Sequence, residues 1–390
     1  MGIMRQTNII IVFWMLGLMI PSCIMPYEPH IDNKDINKYV VSGQVTDNSE
    51  FQTVSISMAS PAGDPHFIPV SGCYARITDD KKNQFVMQES EDEAGIYNVQ
   101  IDKGYLIPGI SFRVDIITPD GTSIVSDFDR MPKCPDVDTV YYLRKDLFTN
   151  TPGEVAKGIQ FYLDLDGGDI NSHYFRWELI ETWEYHATYP REWYYDGSVH
   201  HIYPPDYSRM VCWSTKLVKN IYTLSTENLT ENKYEMLPLH FVDNRTPRLQ
   251  YCYSLLINQI ALSEEAYSYW DQMRINSSEQ GGLYEKQPLA ITGNLHNTTD
   301  PAQEVLGYFS ASSVKSKRIF ISNVENLELD VPTFCTPFTP KYGFKELSPS
   351  DYPTFLMGDK NGWWMVFLNM ECVDCLTVGG TNIKPDFWPY

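Results

Sequence analysis

The chain has 390 residues, with 30 basic and 50 acidic side chains and a formal net charge of −20. This acidic balance argues against nucleic acid as a partner, because affinity for nucleic acid depends largely on neutralising phosphates. The abundance of Tyr, Pro and Gly, at 26, 25 and 23 residues, favours strands and turns over helices. We therefore expect an all-β fold, and the length suffices for two domains with cores of their own.

Residues 1–22 have the pattern of a secretory signal. Arg5 precedes an unbroken apolar run that is too short to span a bilayer. Cys23 directly follows the small residue Ser22, which resembles a bacterial lipobox, where the cysteine is acylated and becomes the new N-terminus. We predict that lipid on Cys23 anchors the protein to a membrane and that residues 23–36 form a polar tether. The alternative is an ordinary signal peptide with Cys23 there by chance.

Short alternations of apolar and polar residues follow the tether. Val54, Ile56 and Met58 are typical, and turn signals such as Pro108-Gly109 separate about seven such runs. This spacing predicts an immunoglobulin-like β-sandwich over residues 37–132. A proline-containing break at the end of this range marks the predicted domain boundary.

Residues 133–390 are predicted to form a second, larger β-rich domain with one short helix. We expect a strand pair formed by 158–165 and 174–185 across an Asp-Gly-Gly-Asp turn. The helix is predicted over 263–276, with Ser263 as its N-cap. A long loop is expected at 281–299, and the last 60 residues are expected to wrap the domain.

Aromatic residues are concentrated in one stretch of the second region. From Tyr174 to Trp213, 12 of 40 residues are Phe, Trp or Tyr, against 14% in the whole chain. Rings on a proline-constrained loop suit contact with a sugar, a peptide or a protein partner. The equal alternative is that they pack the loop onto the sheet beneath it. The contact residues predicted by the first interpretation are Trp183, Trp193, Tyr194, Tyr195 and Trp213, with Trp193, Tyr194 and Tyr195 as an exposed patch.

Seven cysteines remain after Cys23. An exported chain can form disulfides, and the odd number leaves at least one thiol unpaired or paired between chains. Cys372 and Cys375 have CxxC spacing without a second CxxC or a histidine pair, so we interpret them as structural disulfide residues. Cys335 is one candidate partner, and the connectivity stays open.

Signals for chemistry are weak. Glu181 and Glu184 would serve a glycosidase only if the fold placed both carboxylates across one gap. His200 and His201 are adjacent, and adjacent strand residues point to opposite faces, which disfavours a shared metal ion. We expect no catalytic residues, no metal and no cofactor.

Three stretches of the sequence are similar to a known family. They are ALSEEAYSYW at 261–270, LGYFSASSVKSKRIFI at 306–321 and CVDCLTVGGTNIKPDFW at 372–388. Together with the signal and the predicted sandwich, they resemble a family of Bacteroidota outer-membrane lipoproteins whose domain has no known function. The resemblance implies a β-rich lipoprotein, often encoded beside a TonB-dependent (SusC-like) transporter and its SusD-like partner. It brings no catalytic site.

These observations lead to one expected function and two alternatives. We expect a non-enzymatic, surface-facing outer-membrane lipoprotein that binds oligopeptide, glycan or the transporter as an accessory of a nutrient-uptake complex. Tethering by lipid would raise the local concentration of a weak binder. The alternatives are a structural envelope lipoprotein without a ligand and a surface hydrolase acting on glycan or peptide.

Overall fold

The computed structural model describes residues 38–61, 64–148, 153, 155–278, 291–332, 335–358 and 361–389. The predicted signal, Cys23 and the tether lie outside these residues. Strands dominate the described part of the chain, and the predicted all-β class is confirmed. The strands are β1 Tyr39–Thr46, β2 Phe51–Met58, β3 Ile68–Pro69, β4 Tyr74–Asp79, β5 Gln84–Val86, β6 Gln88–Glu89, β7 Ile96–Gln100, β8 Ser111–Ile117, β9 Ser123–Ser126, β10 Asp129–Arg130, β11 Thr139–Phe148, β12 Val155–Asp166, β13 Tyr174–His186, β14 Arg191–Tyr195, β15 Val199–Asp206, β16 Val211–Leu217, β17 Tyr222–Ser225, β18 Lys233–Asp243, β19 Tyr253–Ala261, β20 Leu295–Asn297, β21 Leu306–Ser312, β22 Val314–Ile321, β23 Thr354–Gly358 and β24 Trp364–Val366.

One α-helix interrupts the strands of the described chain. This helix, α1, spans Glu264–Ser278, two residues beyond the predicted end. Ser263 is its N-cap, because its hydroxyl accepts a hydrogen bond from the amide of Ala266 at 3.1 Å. Short 3₁₀ turns cover Pro247–Leu249, Gly343–Glu346, Pro349–Asp351, Met370–Cys372 and Cys375–Val378.

The first sandwich packs two six-stranded sheets face to face. One sheet has the order β21-β1-β2-β7-β6 with β3 beside β2, and the other has the order β20-β9-β8-β4-β5 with β10 beside β8. Alternate residues of each strand point inward, so Val41 and Val54 from one sheet meet Ile77 and Val114 from the other in one buried core.

Two strands of the first sandwich come from far downstream, so the predicted limits of 37–132 are too narrow. Strand β20 lies within the predicted 281–299 loop and pairs with β9, while β21 pairs with β1 in parallel. The approach of β21 to β1 requires glycine at position 307, where φ is +102° and a Cβ would lie 1.9 Å from the carbonyl oxygen of Val41. The edge of β1 is thus paired with a strand that no local pattern connects to it.

The second sandwich packs a three-stranded sheet, β11-β12-β18, against a five-stranded sheet. The latter has the order β16-β13-β19-β22, with β17 beside β13. The two strands predicted at 158–165 and 174–185 exist as parts of β12 and β13, but their predicted pairing is wrong because they belong to opposite sheets. Phe161 of β12 instead stacks on Tyr253 of β19 across the buried core, to which Trp177 of β13 also contributes.

The outer face of the five-stranded sheet is covered at both ends. Helix α1 packs over one end, where Tyr269 and Trp270 surround the buried Ala266. At the other end, Trp388 is buried and lies edge-on to Phe320 of β22 at 5.8 Å between ring centres. The C-terminal segment therefore closes one side of the second sandwich.

Candidate functional site on the four-stranded aromatic sheet

The aromatic stretch of the sequence is largely strand, not loop. Strands β14 and β15 form an antiparallel hairpin, and β14 also pairs with β23, which pairs with β24, in the order β15-β14-β23-β24. We call this unit the aromatic sheet. Since β23 and β24 lie more than 150 residues after β14, this sheet is assembled across the sequence.

The three residues predicted to form one exposed patch lie on two faces. Trp193 and Tyr195 pack beside the buried Leu356, whereas Tyr194 packs beside the buried Phe355 on the opposite face. All three rings are half-buried. The single patch is therefore wrong for a simple reason: consecutive strand residues point in opposite directions.

The other two predicted contact residues belong to the second sandwich. Trp183 is 8% exposed and lies in its core. The backbone of Trp213 exchanges two hydrogen bonds with Thr381, at 2.8 and 2.9 Å, and its ring lies edge-on to Trp388 at 6.4 Å. Trp183 therefore belongs to the core, and the half-buried Trp213 holds the C-terminal segment against β16.

One line of rings does reach the surface, and we call it the aromatic ladder. It runs from Tyr203 and His201 on β15 through Trp193 on β14 to Trp364 on β24. The ring centres are 5.7 Å apart for Tyr203 and His201, 3.7 Å for His201 and Trp193, and 5.0 Å for Trp193 and Trp364. Tyr203, on the edge strand, is 84% exposed.

Of the predicted site residues, only Trp193 belongs to the aromatic ladder. His201 and Tyr203 stand at alternate positions of β15, a period-2 signal that the sequence does contain. Trp364 carries no such signal, because only the pairing of β14 with β23, and of β23 with β24, brings it near Trp193.

One disulfide packs against the aromatic sheet, and a second joins the C-terminal segment to the second sandwich. Cys335 bonds to Cys372, so the candidate partner of the CxxC motif does pair with one of its two cysteines. Cys375 bonds to Cys212 of β16, a partner that the sequence did not indicate. The CxxC residues thus make two separate bridges, and the free thiols of the described chain are Cys73, Cys134 and Cys252.

The acid pair considered for hydrolysis is split between the two faces of β13. Glu181 points into the second sandwich, where its Oε2 accepts hydrogen bonds from Arg248 at 3.0 Å and Tyr253 at 3.1 Å and lies 3.3 Å from His240. Burial alone would raise the pKa of Glu181, but the hydrogen bond with His240 and the charge of Arg248 outweigh it and lower the pKa. Glu181 is therefore an ionised, fully partnered carboxylate.

Glu184 lies three residues further along β13 and faces outward. Its Oε2 accepts a hydrogen bond from the Trp388 indole at 3.0 Å, and its Oε1 lies 2.5 Å from His186 Nε2. Because the two acids occupy opposite faces of one strand, they do not flank a common gap as a glycosidase requires. In the described residues, no group of three or more His, Cys, Asp or Glu side chains is placed to hold a metal ion.

The fold and this site define a multi-sandwich all-β protein with a disulfide-secured aromatic sheet. The chain belongs to the family described as a domain of unknown function (DUF4249), which matches residues 24–318. No curated protein matches the sequence. Within the described ranges, no helix has the length and apolar character to cross a membrane.

Two solved structures show weak similarity. One is trypsin-activated alpha-2-macroglobulin from Escherichia coli, with 11% identity and a TM-score of 0.18 over 59% of this chain and 15% of that one. The other is a DUF4785 family protein from Legionella pneumophila, with 8% identity and a TM-score of 0.16 over 57% of this chain and 52% of that one. TM-scores of this size do not indicate a shared fold.

Proposed function

We propose that this protein is a non-enzymatic lipoprotein of the outer membrane, anchored through Cys23 and facing outward. In this proposal it is an accessory component of a TonB-dependent, SusC/SusD-like nutrient-uptake complex. The sequence around Cys23 supports the anchor, and the family resemblance supports the transporter association. The lipid would keep a modest binder close to its transporter and so raise its effective concentration.

The aromatic ladder is the observation that supports a binding role. Its outer end is an exposed tyrosine, Tyr203, followed by the partly exposed ring of His201, with Trp193 stacked behind them. Planar rings at a sheet edge bind sugar or peptide faces at a low cost in conformational entropy. We propose an oligopeptide or glycan, or the transporter itself, as the partner of this edge.

A structural envelope lipoprotein without a ligand is the second candidate. The packing of Trp183, Tyr194, Tyr195 and Trp213 favours it, because most of the aromatic stretch serves the fold. The two candidates differ in what the ladder does, since only the first needs Tyr203 to be exposed.

A Tyr203→Ala variant separates these candidates. Because the ring is largely exposed, its loss leaves the fold intact, and we expect about a fivefold to tenfold weaker binding to the best oligopeptide or glycan from a panel. Tyr74→Ala, on β4 of the first sandwich and 47% exposed, is the matched control and leaves binding unchanged. The structural candidate is favoured if no oligopeptide or glycan of the panel binds. It is also favoured if the Tyr203→Ala and Tyr74→Ala variants bind the ligand equally well.

The anchor and the partner have their own test. Cys23→Ala is expected to release the protein from the envelope fraction, because acyl chains supply the membrane affinity. Native-membrane purification of the unaltered protein is expected to recover a TonB-dependent transporter with it. A Cys23→Ala protein that still sediments with the envelope, or an unaltered protein that always runs alone, contradicts the proposal.

A further inference from the structure

The exposure of Tyr203 has a structural cause, which is a bulge in strand β15. The pairs Arg191–Asp206 and Trp193–His201 lie two residues apart on β14 but five residues apart on β15. The surplus residues of β15 leave the regular pairing, and Tyr203 among them is 84% exposed. Bulges re-aim side chains in this way and are frequent next to active sites.

Two prolines follow Tyr203 and exclude one mode of binding at the bulge. Pro204 and Pro205 have no backbone N–H, so this part of the edge cannot extend the sheet by pairing with an added strand. A ligand at the bulge therefore contacts side chains rather than the backbone.

Glu192 of β14 is a carboxylate opposite this bulge, and it has no cross-strand partner in the register. Its Oε1 is 3.7 Å from Nε2 of His201, which is longer than a hydrogen bond. Its side chain is 44% exposed, and among the described residues no lysine or arginine lies within ion-pair distance of it. Because the ring centre of His201 is also 5.7 Å from that of Tyr203, the carboxylate and the exposed tyrosine adjoin the same imidazole.

The other acids of the β14–β15 hairpin have closer partners. Asp206 Oδ2 lies 3.5 Å from Arg191 Nη1. Asp196 Oδ1 lies 2.8 Å from Nε2 of His200, which points to the opposite face of the sheet. Glu192 is therefore the acid of this hairpin that adjoins the aromatic ladder without a close partner.

The ligand that fits this arrangement combines an apolar stem with a terminal cation. A tyrosine ring offers an apolar face, on which the aliphatic stem of a long charged side chain packs. A carboxylate binds a guanidinium through two parallel hydrogen bonds. The formal net charge of −20 attracts cationic ligands over longer distances, whereas a neutral glycan gains nothing from it.

We infer that this edge of the aromatic ladder binds the arginine side chain of an oligopeptide, with the stem on Tyr203 and the guanidinium at Glu192. The inference rests on the proposed function, in which the same edge binds a ligand, and it selects a basic oligopeptide from the proposed partners. His201 stacks on Trp193 at 3.7 Å, so the sheet holds the ring that lies between the two contacts.

Two capped peptides test the role of the charge. One is Gly-Arg-Gly with an acetylated N-terminus and an amidated C-terminus, and the other has citrulline, which is uncharged and of similar shape, in place of arginine. In ligand-observed NMR titrations of the full-length protein at low salt, we expect the arginine peptide to bind at least about threefold more tightly than the citrulline peptide. Raising the NaCl concentration to about 1 M should remove this difference, because salt screens exposed charges. No detectable binding of the arginine peptide, or equal binding of the two peptides at low salt, overturns the inference.

Two variants connect the binding to the named side chains. Glu192→Gln removes the charge and keeps the shape, so it should lower the affinity for the arginine peptide to that for the citrulline peptide. Tyr203→Ala should weaken both peptides to the same extent, because both have the stem that packs on the ring. Glu91→Gln, at an exposed position of the first sandwich, is the matched control and leaves both affinities as they are. Selectivity for the arginine peptide that persists in Glu192→Gln overturns the inference.

The outcomes also separate this inference from the proposed function. If a neutral glycan of the panel binds in a manner that depends on Tyr203 while the arginine peptide does not bind, the inference is wrong and the proposed binding role stands. If no ligand binds through Tyr203, the inference fails together with the binding role. The salt dependence needs no variant, so it decides the inference even if Glu192→Gln lowers the melting temperature.

Discussion

The first sandwich and the aromatic sheet are stabilised in different ways. The first sandwich surrounds one continuous apolar core, with fully buried residues from both sheets and a single free thiol, Cys73, at its margin. The aromatic sheet has four short strands and two small clusters, and a disulfide links residues within one of them. A small unit buries too little apolar surface to be stable alone, and covalent bridges compensate for this.

The largest expected effect comes from the core of the first sandwich. Phe309 of β21 is fully buried and packs near Gly43 of β1, whose lack of a side chain makes room for its ring. We expect Phe309→Ala to lower the free energy of unfolding by about 3 to 5 kcal/mol, as is usual for truncating a buried aromatic residue. Urea unfolding measures the loss.

The control for this variant is Phe51→Ala, since Phe51 is half-exposed on β2 of the same sheet. It is expected to change stability by no more than about 0.5 kcal/mol. Equal effects of the two substitutions would mean that the downstream strand β21 adds little to the first core.

The second effect concerns the aromatic sheet and its disulfide. Replacing both Cys335 and Cys372 with Ser opens a loop of 37 residues. The expected cost is about 2 to 4 kcal/mol, because the unfolded segment gains conformational freedom. Hydrogen exchange should become faster in β23 and β24 and stay unchanged in β1 and β2.

Cys73→Ser is the matched control, because it removes a thiol that forms no bridge. It should leave exchange in the aromatic sheet unaltered. If opening the disulfide speeds exchange throughout the first sandwich as well, the two regions are one cooperative unit and the contrast between them fails.

The smallest expected effect is a pH dependence confined to the first sandwich. Asp129 of β10 is 4% exposed and accepts a hydrogen bond from the amide of Ala311 at 2.8 Å. Burial raises its pKa to about 6, although hydrogen bonds from Ser263 and Ala311 act in the opposite direction. An unfolded aspartate has a pKa of about 3.9, so between about pH 4 and 6 the folded state binds more protons.

The free energy of unfolding should therefore fall as the pH rises from about 4 to 6. The contribution of Asp129 alone is about 2 to 3 kcal/mol. Asp129→Asn keeps an acceptor for the Ala311 amide and should remove this component of the pH profile. Thermal unfolding at pH 4, 5, 6 and 7 measures it. A profile that is identical in the variant and the unaltered protein would show that Asp129 is ionised in the fold throughout this range.

Local signals in the sequence were sufficient for the elements whose physics is local. The alternation of Val54 and Ile56 marked a half-buried strand, and Ser263 marked the start of α1, because side-chain direction and capping depend on a few neighbouring residues. The all-β class was predictable from composition, whereas the CxxC spacing predicted structural disulfide residues without their connectivity.

Only the tertiary structure decided which strands meet. The pairing of β21 with β1, the Cys212–Cys375 bridge and the aromatic ladder all join residues far apart in the chain, and no local pattern specifies such contacts. These contacts depend on packing, which the whole fold determines.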